Sequence, residues 1–234
     1  MSFYSGIDLG ARESQICVIN KRVKKVLEVK TTNKLEHIKQ LLAPYKADLQ
    51  IVVESTFNWY WLVDGLQEAG FQVVLAHTLG LHMITAAKVK TDRRDAFALA
   101  KLLLAGMIPT AYIYPAETRP VRDLLRRRAR LVQTRAGEYW SLRRLMLRQG
   151  ILSRRQQEIK QAEETDLEKW FTHPLVRMHA SQELERIGLY TQQLKELETT
   201  ILEQAKKEWA FERLQQLPGI GPIIALTIFY EMGE

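Results

Sequence analysis

The sequence predicts an α/β first half followed by an all-helical second half, and three observations carry that division. Up to about residue 115, short apolar runs of strand length alternate with helix-length segments. From Thr118 onward the apolar residues recur at helical spacing over much longer stretches. The charge also changes character there. Between Arg119 and Arg155 stand twelve Arg against only Asp123 and Glu138, a local +10 that leaves −3 for the rest of a chain whose total is +7.

Taken in order, Phe3 to Leu9 is an apolar run ending in Asp-Leu-Gly, and Gln15 to Asn20 is a second β-rich run. Val23 to Thr31 alternates Val23, Val26 and Val29 with charged residues. These read as three consecutive antiparallel strands joined by tight turns. Asn33 is placed to cap a helix to about Leu42, and Pro44 stops it. Leu49 to Val53 is a continuous apolar strand of the kind buried in a parallel sheet, with Glu54 at its carboxyl end. A helix over Asn58–Ala69 is closed by Gly70, a strand follows over Phe71–Ala76, and a helix over Asp92–Ala105 is closed by Gly106. A three-strand meander followed by helix, strand, helix, strand and helix is the order of a ribonuclease H-like fold.

In the second half, Thr118-Arg119-Pro120 opens a long helix to about Gln149, and a polar stretch from Arg154 to Thr172 leads to Pro174. Leu184, Ile187, Tyr190, Leu194, Leu197, Ile201 and Ala205 then recur at steps of three or four, the pattern of a coiled coil. With little other chain predicted to cover it, this stripe suits dimerisation as well as an intrachain core. The chain ends on Leu217-Pro218-Gly219-Ile220-Gly221-Pro222, which reads as helix, Gly-rich turn and helix start. The expected organisation is a domain over 1–115, an Arg-rich long helix and coiled-coil region over 116–212, and the start of a further domain over 213–234.

Composition excludes several classes. With 46% hydrophobic and 26% charged residues, the chain has the make-up of a folded protein rather than a disordered one. Its apolar runs are broken before they reach the ~18–20 residues needed to span a bilayer, and MSFYSGIDLG lacks the basic and apolar regions of a signal peptide. No membrane association and a cytoplasmic location are the expectation. Cys17, the only cysteine, rules out an intramolecular disulfide and a Cys-ligated zinc site, and its ICVI context reads as a buried thiol.

The Arg block contains Arg119, Arg122, Arg126, Arg127, Arg128, Arg130, Arg135, Arg143, Arg144 and Arg148, with Tyr139 and Trp140 among them. Guanidinium groups pair bidentately with phosphate and stack on bases, so this segment suits a nucleic acid. A solvated helix face is the alternative, but so one-sided a block repels itself without an anion.

Four acids converge if the fold reading holds. Asp8 and Glu54 end apolar strands, and Asp92 and Asp95 share one face at the start of a helix. The carboxyl ends of strands form the functional edge of an open α/β sheet. Carboxylates crowded there repel unless cations bind, and hard oxygen ligands suit Mg²⁺ or Mn²⁺, two ions in the arrangement used for phosphodiester chemistry. Taken singly, Asp8 could begin a turn and Asp92 could cap its helix.

The segments GIDLG at 6–10, VVEST at 52–56 and KTDRRDAFALAKLL at 90–103 resemble the Piv/MooV-type DEDD transposases, insertion-sequence enzymes with a RuvC-like catalytic domain. The resemblance extends over the whole chain. It implies that Asp8, Glu54, Asp92 and Asp95 are a catalytic and metal-binding tetrad. It further implies a DNA transposase or site-specific recombinase that cuts and rejoins DNA, with a structured non-coding bridge RNA choosing the target. LPGIGPIIALTIFYEMG resembles the helix-hairpin-helix-like opening of that family's second domain. The family's nucleophilic serine lies in that second domain, so by this reading the chain is truncated before it and Ser55 does not take the role.

Lys88, Lys90, Arg93 and Arg94 flank the acidic pair and could hold scissile phosphates or balance its charge. Phe57, Trp59, Tyr60 and Trp61 suit core packing of a helix on the sheet, with room for one exposed ring to stack a base. His77 and His82 show no zinc spacing. Two alternatives remain: an actin-like ATPase or sugar kinase, which also begins with a strand bearing Asp-x-Gly and a hairpin, and a non-catalytic nucleic-acid binding and oligomerisation fragment. The kinase needs further Gly-rich phosphate loops and leaves the Arg block unexplained.

Overall fold

The meander forms as the apolar runs predict: β1 (Phe3–Leu9), β2 (Glu13–Asn20) and β3 (Lys25–Thr32) are antiparallel neighbours. The structure is a computed structural model that describes residues 2–84, 92–151, 159, 161–205 and 208–232, without the side chains of 82–84 and 92–93. It falls into two compact units, Met1–Ala116 and Glu117–Glu234.

In the first unit, β4 (Leu49–Glu54) pairs parallel with β1, and β5 (Gln72–Ala76) pairs parallel with β4, giving the sheet order β3-β2-β1-β4-β5. This is the ribonuclease H-like arrangement. Between the strands lie α1 (Leu35–Leu42), a 3₁₀ turn over Ala43–Asp48 and α2 (Tyr60–Glu68), and beyond β5 come α3 (Thr78–Ile84) and α4 (Asp92–Leu104). Both faces of the sheet are covered, which is why its central strands are nearly continuous in apolar residues. Ile7, Ile16, Val18, Ile51 and Val53 pack on one face with Ile38 of α1 and Leu62 and Leu66 of α2. The alternate residues Cys17, Ile19 and Val52 face the other way, in clusters with Ala96, Leu99, Ala100 and Leu103 of α4. Burial raises the Cys17 thiol to a pKa of about 11, so it is an inert core group.

Several boundaries differ from the sequence expectation by one or two residues, and two of the differences are set by asparagine side chains. Asn33 does not cap α1, which begins after Lys34 with no side-chain cap. Its carboxamide is used across the chain: it accepts from Ser14 Oγ at 2.6 Å and donates to Gly10 O at 2.9 Å. The third strand begins at Lys25 rather than Val23. Asn20 Oδ1 accepts from the backbone N–H of Arg22 and Lys24, closing a turn in which Val23 takes φ 61°.

The second unit is helical: α5 (Arg119–Arg148), α6 (Glu164–Trp170), α7 (Pro174–Gln204), α8 (Trp209–Gln215) and α9 (Pro222–Met232). The polar stretch before Pro174 contains α6, started by a capping box between Glu163 and Asp166. Of the two roles open to the stripe, the structure shows the intrachain one, with α5 as its partner. Ile187 packs with Leu142, Leu145 and Met146, and Ile201 with Val121 and Leu125, so α5 and α7 form an antiparallel pair. The coiled-coil periodicity is thus spent inside the chain. Ile223 and Tyr230 of α9 join the same apolar cluster as Val121. No helix among the described residues is long and apolar enough to cross a membrane.

Gly6 fixes how α4 sits on the sheet. A Cβ there would run into the backbone oxygen of Ala96 and stand 2.7 Å from Ala100 N and 2.8 Å from Leu99 Cβ, so only glycine admits the helix this close. Gly6→Ala should therefore destabilise the chain by about 1–3 kcal/mol in urea unfolding, the usual cost of overpacking. Gly137→Ala, mid-helix in α5 where an added Cβ meets open space beyond its own helix backbone, should instead stabilise by about 0.5–1 kcal/mol. Equal effects at the two positions would contradict this packing.

Candidate functional site

Asp8 and Glu54 are brought together by strand pairing. The parallel register of β1 and β4 matches Ile7 with Val53, and Asp8 and Glu54 are the next residue on each strand. Alternation puts Asp8 on the same face as Gly6, and Glu54 on the same face as Val52, which packs with Leu99 and Leu103. Both acids thus stand on the α4 side of the carboxyl edge, half-buried.

Asp95 reaches that face because Ala96, its neighbour, is the residue whose carbonyl lies over Gly6. Its carboxylate is half-buried, and among the described residues the fully buried Oδ2 has no hydrogen-bond partner. Leaving a buried carboxylate oxygen without a donor is costly, and a cation held beside it would relieve that cost. Asp92 is the first residue of α4, one turn from Asp95; its side chain lies outside the described residues. Among the described residues no group of three or more His, Cys, Asp or Glu is arranged to hold a metal ion. Asp8, Glu54 and Asp95 therefore do not enclose an ion by themselves. The donor set is nonetheless all oxygen, and Mg²⁺ is commonly held by one or two carboxylates plus substrate phosphates rather than by a complete protein cage.

Loops at this edge are tied down by Ser55, Thr56, Asn58 and Thr78, a role the sequence does not announce. Asn58 Nδ2 donates to Gly10 O at 3.0 Å, and Thr56 Oγ1 donates to Asn58 Oδ1 at 3.0 Å. Thr78 Oγ1 donates to Ser55 O at 3.2 Å and lies 3.2 Å from Ser55 Oγ, joining the exits of β4 and β5. Nothing in the local sequence separates these polar residues from ordinary turn formers. Of the basic residues flanking the acids, Arg94 is exposed, Lys88 and Lys90 lie outside the described residues, and so does the side chain of Arg93.

In the second unit, the arginines of α5 divide into two groups. Arg119 and Arg122 are buried. Arg122 Nη2 and Arg126 Nε donate to Glu231 at 2.9 and 2.5 Å, fastening α9 to α5. Arg128 pairs with Glu198 at 2.7 Å, and Arg135 donates to Thr191 Oγ1 at 3.1 Å, both on α7. Arg127, Arg130, Arg143, Arg144 and Arg148 are exposed. Helical spacing puts Arg130, Arg144 and Arg148 on one face. Beside them the Arg143 guanidinium lies 5.3 Å from the centre of the Trp140 ring, itself 60% exposed.

Glu231 is held below the usual carboxylate range chiefly by its hydrogen bond from Arg126, with Arg122 adding to it against the opposing effect of burial. A depressed folded-state value stabilises the fold above the unfolded value of about 4.3, and that stability is lost as pH falls through the folded value. Glu231→Gln should lower the melting temperature at neutral pH, and the gap to wild type should close in acid. A gap that persists unchanged in acid would contradict the ion-pair account.

The described geometry has relatives. The family of DEDD transposases of the IS110 type, described as transposase, matches residues 5–150. A curated protein of Sinorhizobium fredii (strain NBRC 101917 / NGR234), named "Putative transposase y4qE", is 24% identical over 201 residues, covering 84% of this chain and 48% of that protein. The chain thus spans about half the length of the curated relative it matches. With a ribonuclease H-like sheet whose carboxyl edge carries Asp8 and Glu54 beside the Asp-x-x-Asp helix, and a family match over more than half its residues, the chain belongs to the DEDD transposase family.

Proposed function

We propose that this chain carries the catalytic core of a DNA transposase or site-specific recombinase, in which Asp8, Glu54, Asp92 and Asp95 hold Mg²⁺ or Mn²⁺, two ions when the substrate is bound. The observation that supports it most is the placement of Asp8 and Glu54 on adjacent parallel strands, on the face where α4 brings the unpartnered Asp95 Oδ2. Bound there, the ions supply Lewis-acid polarisation of a phosphodiester and an activated oxygen for strand cleavage and transfer. The chain's own residues orient them. The Ser55–Thr78 bonds hold the backbone next to Glu54, and that engagement suits Ser55 to positioning rather than to attack.

The exposed arginines of α5 supply the grip on nucleic acid. Arg130, Arg144 and Arg148 on one face, with Trp140 and Arg143 stacked beside them, match a phosphate backbone with unpaired bases. In this reading the ligand is DNA together with a structured, bridge-type RNA, the latter resting on the family resemblance. Arg127 contributes charge from the same helix. Arg122, Arg126 and Arg128, engaged with Glu231 and Glu198, serve by holding the helix rather than by touching phosphate. A homo-oligomer, dimer or tetramer, is part of the same reading. Its support is the exposed row Leu175, Met178 and Leu189 on one side of α7, not the stripe already buried against α5.

The test is thermal unfolding with and without Mn²⁺. Mn²⁺ at ten times its Kd should stabilise wild type by about 1.4 kcal/mol, and Asp8→Asn and Asp95→Asn should keep the fold and lose the shift. A shift that survives both substitutions would overturn the carboxylate site. For the second surface, replacing Arg130, Arg144 and Arg148 by Ala should flatten the log–log salt dependence of DNA binding by about 2 to 3, close to 0.9 for each duplex phosphate no longer neutralised. An unchanged slope would remove α5 from the interface.

A further inference from the structure

Phe57 stands apart from the aromatic cluster it belongs to. Trp59 is buried, and Tyr60 and Trp61 pack against the core under α2, whereas the Phe57 ring is 85% exposed. The turn that carries it is held from three sides. Thr56 N donates to Glu54 O at 2.8 Å, Thr56 Oγ1 to Asn58 Oδ1 at 3.0 Å, and Asn58 Nδ2 to Gly10 O at 3.0 Å. The backbone that carries the ring is thereby held at the edge that bears Asp8 and Glu54, with the ring itself exposed. Only Ser55 and Thr56 stand between it and Glu54, so the two Cα atoms lie at most about 11 Å apart.

We propose that Phe57 is a stacking platform for an unpaired nucleobase beside the phosphodiester bound at the acidic edge, a proposal that rests on the DNA-directed function above. At about 3.4 Å or more per nucleotide, the ring reaches a base within a few nucleotides of that phosphate. Phenylalanine offers neither charge nor hydrogen bond, so it meets the face of a base and not its edge, which makes the contact tolerant of sequence. A base can present its face only when it is out of the duplex. The site therefore takes a strand that is locally opened or flipped, and the tethered ring keeps the opened base from restacking.

Binding of a fluorescein-labelled oligo(dT) strand to the whole chain, titrated in EDTA across a salt series, tests this. Phe57→Ala and Phe57→Leu should each weaken binding about 10-fold, within the range measured for base–aromatic stacking, while Phe57→Trp retains it. The salt slope should not move, because no charge is removed, and the effect should vanish on an abasic strand of the same length. Unchanged melting temperatures identify the loss as local, as expected for an exposed side chain. Wild-type affinity in Phe57→Leu, an equal loss on the abasic strand, no binding by wild type, or a loss that tracks self-association instead of DNA would each overturn the proposal. Since the titration contains no divalent ion, its failure leaves the Mn²⁺ result standing. An absent Mn²⁺ shift with intact Phe57-dependent binding would instead sink the catalytic reading alone.

Discussion

The contact between Gly6 and α4 is the constraint on which the candidate site depends. Strand pairing can bring Asp8 and Glu54 together without help, since parallel register alone makes them neighbours. It cannot supply an acid from a helix. That requires α4 to lie with its backbone on β1, and the carbonyl of Ala96 reaches the strand only because residue 6 has no side chain. Gly6 of GIDLG is thus a packing device for the helix. Its tight contact places Asp95 on the face that carries Asp8 and Glu54, with one carboxylate oxygen buried and, among the described residues, unpartnered. Leaving such a group without a donor costs free energy.

Much of this was legible in the sequence because the deciding features are periodic or punctuated. The short apolar runs gave the strands, Gly70 and Gly106 closed their helices in left-handed backbone as expected, and Thr118-Arg119-Pro120 marked the start of α5. Legibility ended where a residue's partner lies far along the chain. Asn33 has the identity of a cap, yet its amide serves Ser14 and Gly10. The stripe from Leu184 to Ala205 shows that α7 has an apolar side, but periodicity does not say what covers it, and the structure supplies α5. The convergence of Asp8 and Glu54 followed from topology. The unpartnered oxygen of Asp95 and the hydroxyl tie between Ser55 and Thr78 did not, because they depend on side-chain placement finer than residue spacing carries.

The Arg block shows the same limit in electrostatic form. Counting charge treats its arginines alike, whereas their surroundings divide them. Arg122 and Arg126 neutralise Glu231 and fasten α9, and Arg128 answers Glu198 on α7. Guanidinium is suited to both tasks, being permanently charged, planar and multidentate. Only the face of α5 turned away from its partner helices carries charge in excess of what the fold uses, and there an exposed indole lies against Arg143. Net charge therefore overstates how much of the helix is left free to meet a ligand, and exposure corrects it.

Anomalous diffraction from crystals of the chain grown with Mn²⁺ addresses the central claim most directly. The account predicts a Mn²⁺ peak at the carboxyl edge of β1 and β4, with Asp95 Oδ2 and an oxygen of Asp8 or Glu54 at about 2.0–2.2 Å, the reach of such hard cations, and no peak there in Gly6→Ala crystals in which α4 has been displaced. Mn²⁺ bound elsewhere, with Asp95 Oδ2 still unligated, would contradict it.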